Sequence, residues 1–94
     1  MTAVTRIEVI LAEALLQPFV EVVEARACRA YAVSTGLSGG SRSGRATVGL
    51  SDAIVTIVCT RDEAATMVAG VEAFLRRYGG TGCVTEGQGL NVDG

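Results

Sequence analysis

Histidine is missing from all 94 residues, and with it the side chain that most often serves as acid–base catalyst or metal ligand near neutral pH. No lysine is present either, so a serine such as Ser41 has no base to activate it, and a serine hydrolase is excluded. Aromatic residues make up 4% of the chain, too few to supply the paired stacking platforms of an RNA-binding sheet. A net charge of −2 argues against a general nucleic-acid binder. The three cysteines, Cys28, Cys59 and Cys83, form no C-x-x-C pair, so no zinc or dithiol redox site is expected, and they read as small buried apolar residues of a reducing compartment. There is no apolar run long enough to cross a bilayer and no basic start followed by an unbroken apolar segment, which leaves the cytoplasm as the expected location.

What is abundant is apolar surface. Hydrophobic residues account for 49% and charged ones for 19%, which excludes a disordered chain. A chain of this length reads as one domain, 1–94, with a core that has little to spare and more apolar surface than a small monomer easily hides. Homo-oligomerisation follows.

Against this background the run Gly36-Leu-Ser-Gly-Gly-Ser-Arg-Ser-Gly-Arg45 stands out. Glycines let successive backbone N–H groups turn toward one point, serines add hydroxyl donors, and Arg42 and Arg45 offer planar forks that match phosphate or carboxylate oxygens. The plain alternative is a flexible, solvated hairpin.

Val4–Leu11 is rich in β-branched residues and places Thr5, Ile7, Val9 and Leu11 on one face of a first strand. Leu15, Phe19, Val22, Val23 and Arg26 then recur at helical spacing, and Pro18 is tolerated only in a first turn, so a helix is predicted from about Leu16 to Ala27. Ala30–Thr35 reads as a second strand feeding the Gly/Ser/Arg run. Ala53–Thr60 is nearly all apolar and β-branched, as in a central strand covered on both faces. Thr60-Arg-Asp-Glu63 has capping-box spacing. The helix behind it carries an apolar stripe of Ala64, Met67, Val71, Phe74, Leu75 and Tyr78, ends in Arg76 and Arg77, and is stopped by Gly79-Gly80. Cys83–Glu86 can form a short last strand, with 87–94 as a flexible tail. The order strand, helix, strand, strand, helix, strand is the split βαβ arrangement of an α+β, ferredoxin-like domain, βαββαβ, with an antiparallel sheet and both helices on one face. A second copy would cover the other face.

Three segments carry a resemblance to the PII signalling superfamily, in its PII-like branch associated with bicarbonate transporters and carboxysome gene clusters. Ala30-Tyr31-Ala32-Val33 is similar to the family's second strand. Gly40-Ser41-Arg42-Ser43-Gly44-Arg45 resembles the Gly-Ser-Arg-x-x-Arg segment at the base of that branch's T-loop, which would here be short and span 38–50. Tyr78-Gly79-Gly80 resembles the turn called the B-loop. The resemblance implies a homotrimer that binds an adenine nucleotide in each intersubunit cleft and acts as a sensor, not an enzyme. Arg42 and Arg45 would be phosphate ligands, Gly39, Gly40 and Ser41 would lend backbone or hydroxyl donors, and Gly79, Gly80, Thr81 and Gly82 would form the opposing wall. Bicarbonate would be a second ligand, at Arg42 and Arg45, and a bicarbonate transporter or carboxysome-linked protein the partner.

The chain also departs from nitrogen-signalling PII proteins. They have a much longer T-loop and a B-loop lysine, and here no Lys or Arg follows Gly82. ADP or AMP is therefore expected over ATP, and 2-oxoglutarate sensing is not expected. The chain ends Asn91-Val-Asp-Gly94 without the cysteine pair of some transporter-associated relatives, so no redox switch is expected there. Outside the site, Tyr31 reads as a core or interface aromatic, Glu86 as an exposed strand-end carboxylate, and Arg76 and Arg77 as a solvated helix end. Two other functions fit the same topology: an ACT-like module binding an amino acid at a subunit interface, and a ferredoxin-like structural or shell protein.

Overall fold

The structure is a computed structural model that describes residues 1–26, 28–37 and 52–92. β1 (Thr2–Ala12) leads through a 3-10 turn (Glu13–Leu15) into α1 (Leu16–Glu24); β2 (Ala30–Leu37), β3 (Asp52–Thr60), α2 (Arg61–Tyr78) and β4 (Thr81–Gly89) follow. The sheet order is β2-β3-β1-β4, every neighbouring pair is antiparallel, and both helices pack on one face, as the ferredoxin-like reading requires.

Strand alternation decides which residues meet the helices. Ile7, Val9 and Leu11 of β1 and Ala53, Val55, Ile57 and Cys59 of β3 point to the helical side and are buried there, with Ile7 opposite Ile57 and Val9 opposite Val55. Phe19 and Val23 of α1 and Met67, Val71 and Phe74 of α2 close the core from above. Phe19 meets Phe74 edge-on at 5.1 Å between ring centroids. Each fully buried side chain of this size contributes about 1.5–3 kcal/mol relative to exposure. On the opposite face, Arg6 and Ile10 are exposed, while Glu8, Ile54, Thr56 and Val58 are half-buried.

The capping box forms as its spacing predicts: the backbone N–H and the hydroxyl of Thr60 both donate to Glu63 Oε1, at 3.0 and 2.8 Å. The first helix ends earlier than expected, at Glu24. The Arg26 N–H bonds the Val23 carbonyl at 3.1 Å, tightening the last turn, and the Arg26 Nη1 donates to the Val22 carbonyl at 2.9 Å. Ala27 lies outside the described residues. The last strand is longer than the segment Cys83–Glu86: Gly87–Gly89 continue the ladder against Val4–Thr2, so the start of the expected tail is sheet, because strand pairing to β1 outweighs the low strand propensity of glycine. Among the cysteines, Cys59 is buried and Cys28 half-buried, but Cys83 is exposed, since β4 is an edge strand and its register puts Cys83 opposite Glu8 on the face away from the helices. No helix among the described residues is long and apolar enough to cross a membrane.

Candidate functional site

The antiparallel register brings several chain segments to one end of the sheet. Leu37 pairs with Asp52 where β2 ends and β3 begins, Asp52 pairs with Ala12 at the end of β1, and Thr81 at the start of β4 pairs with Ile10. The connection 38–51 therefore leaves and re-enters at the end where the Gly79-Gly80 turn delivers the chain into β4. Within one chain the base of this connection and Thr81 stand on either side of β1, two strand spacings or about 10 Å apart.

The base is anchored from outside the sheet. β2 carries an irregularity between Ser34 and Leu37, and Gly36 within it adopts φ 72°, a left-handed conformation suited to glycine. The Gly36 N–H is turned toward the 3-10 segment and donates to Glu13 Oε2 at 3.3 Å. Glu13 is a residue that the sequence pattern does not single out, because it lies 23 positions away in a segment with no motif.

The opposite wall is fixed by backbone geometry. Gly79 N–H caps α2 by bonding the Leu75 carbonyl at 2.8 Å, and Gly79 and Gly80 have φ of 96° and 121°. A Cβ on Gly80 would stand 2.8 Å from Leu75 Cδ2 and 2.9 Å from the Ile10 carbonyl oxygen. At Gly82 a Cβ would lie 3.2 Å from the Glu8 carbonyl oxygen. Gly79, Gly80, Thr81 and Gly82 thus form one contiguous ledge whose glycines allow the chain to press against β1. Gly39, Gly40, Ser41, Arg42 and Arg45, with the whole of the expected T-loop 38–50, lie outside the described residues.

Other side chains singled out by sequence take structural roles. Tyr31 is partly exposed on β2, and its hydroxyl donates to Glu24 Oε2 at 3.0 Å, a bond to a carboxylate that raises the phenol's pKa. Glu86 pairs with Arg61 at 2.7 Å and Arg76 with Glu72 at 2.6 Å, both in solvent. Burial raises the thiol pKa values of Cys28 and Cys59, which suits packing rather than nucleophilic chemistry. Glu63 is held below the usual carboxylate range, first by the Thr60 backbone N–H and then by its hydroxyl. Among the described residues no group of His, Cys, Asp or Glu is arranged to hold a metal ion.

No family model matches the chain, and no curated protein sequence does. Solved structures do. CPII from Thiomonas intermedia K12, bound to ADP, AMP and acetate, is similar with a TM-score of 0.79 at 16% identity, over 96% of this chain and 91% of that one. A second structure of CPII, described as a nitrogen regulatory PII-like protein and bound to ADP, AMP and bicarbonate, gives 0.78 at 16% identity over 94% and 96%. The GlnK–ATP complex of B. subtilis gives 0.66 at 12% identity over 92% and 84%. At 12% and 16% identity the likeness is one of fold, and the fold of this chain is that of the PII and PII-like proteins.

Proposed function

We propose that the chain is a PII-like signalling protein, a regulator and not an enzyme, which binds ADP or AMP at the clefts between subunits of a homotrimer. The observation that carries this reading is the convergence, at one end of a PII-type fold, of the base of the Gly/Ser/Arg connection and the Gly79–Gly82 ledge. An adenine nucleotide would sit with its phosphates on Arg42 and Arg45, assisted by Gly39, Gly40 and Ser41, and against Gly79, Gly80, Thr81 and Gly82. Because the two walls of one chain are separated by the end of β1, a neighbouring subunit supplies the remaining side of each cleft. The sheet face away from the helices, with Ile10 exposed and Ile54 and Val58 half-buried, is the surface a trimer would cover.

Bicarbonate is the second ligand of this reading, a planar anion suited to the arginine forks beside the phosphate. CPII, of the same fold, is a precedent for nucleotide and bicarbonate together. Ordering of the 38–50 connection by these ligands would alter its contact with a cytoplasmic face of a bicarbonate transporter or with a carboxysome-linked protein, and so regulate inorganic-carbon uptake. A calorimetric titration with AMP, ADP, ATP and cyclic AMP, with and without bicarbonate, tests the ligand assignment, with binding of ADP or AMP expected. Light scattering at micromolar concentration tests the trimer. A monomer that binds no nucleotide overturns the reading, and preference for a free amino acid in a thermal-shift screen would move the chain to the ACT-like class.

A further inference from the structure

On the outer surface of the two helices, α1 and α2 flank an open groove of about 680 Å³ that runs along α2 as far as Tyr78, the residue before Gly79 of the ledge. Its floor is small: Ala65, Ala69 and Ala73 recur every fourth residue along α2, with the buried Gly70 between them. Val22 of α1 and Arg26, just beyond its end, form the facing wall, and Arg77 closes the end.

The charge on this groove is distinctive. Among the described residues, Arg6, Arg29, Arg61 and Arg76 each have a carboxylate within 4.0 Å. Arg26 and Arg77 have none, and both line this groove. Arg77 lies over the Tyr78 ring, 5.3 Å from its centroid, a contact that leaves its N–H donors free for a carboxylate. Arg26 lies across α2 at Gly70, where a Cβ would come within 2.8 Å of its Nη2. Its Nη1 is taken by the Val22 carbonyl, and its buried Nε has no acceptor. The Arg26 Nε is buried against Gly70 and out of a partner's reach, so Arg26 presents Nη2 and Arg77 its whole fork, in a protein that is acidic overall.

We infer that this groove docks an acidic helical segment of a partner protein, with two carboxylates placed on Arg26 and Arg77. Arg26 sits at the level of Gly70 and Arg77 seven residues further along, so the two cations are about 10.5 Å apart along the helix axis, the spacing of glutamates at i and i+7 on a second helix lying alongside. The alanine floor lets that helix approach closely, and charge-assisted bonds from Arg26 Nη2 and from the Arg77 fork to its carboxylates fix its register. The inference does not depend on the nucleotide reading: although Tyr78 adjoins Gly79, the two arginines and the alanine floor lie outside the ledge Gly79–Gly82 and outside 38–50.

The probe is a labelled alanine-rich helical peptide of about fourteen residues carrying two glutamates seven positions apart, titrated by fluorescence anisotropy against the full chain. Binding is expected, and each of three changes should weaken it about tenfold or more: glutamine for both glutamates in the peptide, Arg26→Gln, and Arg77→Gln. Ala69→Glu, an exposed change in mid-floor, should abolish binding while the circular dichroism spectrum is unchanged, which covers the case that Arg26→Gln disturbs packing. Raised salt should weaken binding of the acidic peptide. No binding, equal binding of the glutamine peptide, or an affinity untouched by Arg77→Gln would overturn the inference. A smaller particle mass for Ala69→Glu or Arg77→Gln in light scattering would do so too, because the groove would then be an interface between copies.

Discussion

Replacing Gly80 by alanine separates two physical effects that the neighbouring glycine allows to be measured independently. Gly79 has φ 96° and ψ 165°, in a region accessible essentially to glycine, yet a Cβ there would meet nothing within 4 Å. Gly79→Ala should therefore cost only backbone strain, about 1–3 kcal/mol. Gly80, at φ 121°, has comparable strain, and its added Cβ would also stand 2.9 Å from the Ile10 carbonyl oxygen, which is held in the β1–β4 ladder and cannot swing aside as a side chain could. Overpacking of this kind adds about 1–3 kcal/mol, so Gly80→Ala should cost about 2–6 kcal/mol in all. For a domain of this size each kcal/mol corresponds to roughly 4–8 °C in Tm. The assay is urea unfolding of both variants and the parent at one fixed protein concentration, because an oligomer's midpoint depends on concentration. A Gly80→Ala variant no less stable than Gly79→Ala would refute the claim that β1 presses on this turn.

At the proposed site, Arg42→Ala or Arg45→Ala should weaken ADP or AMP binding about ten- to a hundredfold, or roughly 1.5–3 kcal/mol, with the melting transition unchanged; calorimetry showing parental affinity in both variants would remove these residues from the site. If bicarbonate binds beside the phosphate, each ligand should alter the other's affinity by the same factor, and tighter bicarbonate binding is expected with ADP present because an already ordered connection costs the second ligand less; titrations with a chloride control that superimpose would reject the coupling. Glu63 has its pKa lowered in the folded state, so its stabilising contribution is present above the ordinary carboxylate pKa and lost as pH falls through the lowered value. Urea midpoints of the parent and Glu63→Gln should accordingly differ at pH 7 and draw together as pH falls below the ordinary carboxylate range, and a constant difference throughout would show that the ionised carboxylate is not what matters.

Much of the fold was legible from local signals that tertiary contacts reinforce. The alternation through Ile7, Val9 and Leu11, the Thr60–Glu63 capping box and the stripe from Met67 to Phe74 each specify one element and one buried face, and the topology follows from their order. Boundaries were less legible where glycine is involved. Gly87 and Gly89 have no side chains to signal a strand, and with Gln88 between them they are held in one by pairing with β1. Cys83 resembles the other two cysteines in sequence, and only its place on an edge strand separates an exposed thiol from the buried Cys59.

The sequence by itself determined the α+β order of elements, the helix stop at Gly79-Gly80 and the concentration of glycine and arginine between β2 and β3, because each depends on residues a few positions apart. Tertiary structure decided what depends on distant residues meeting. The Glu13 carboxylate reaches Gly36 only because α1 carries the chain to the far end of the sheet and β2, running parallel to β1, brings it back to the end where β1 stops. Gly80 is obligatory not only for its dihedral angles but because Ile10 lies beneath it. Arg26 and Arg77, 51 positions apart, share a groove because two amphipathic helices must bury their apolar stripes on one face of one sheet, and that packing sets their outward faces side by side.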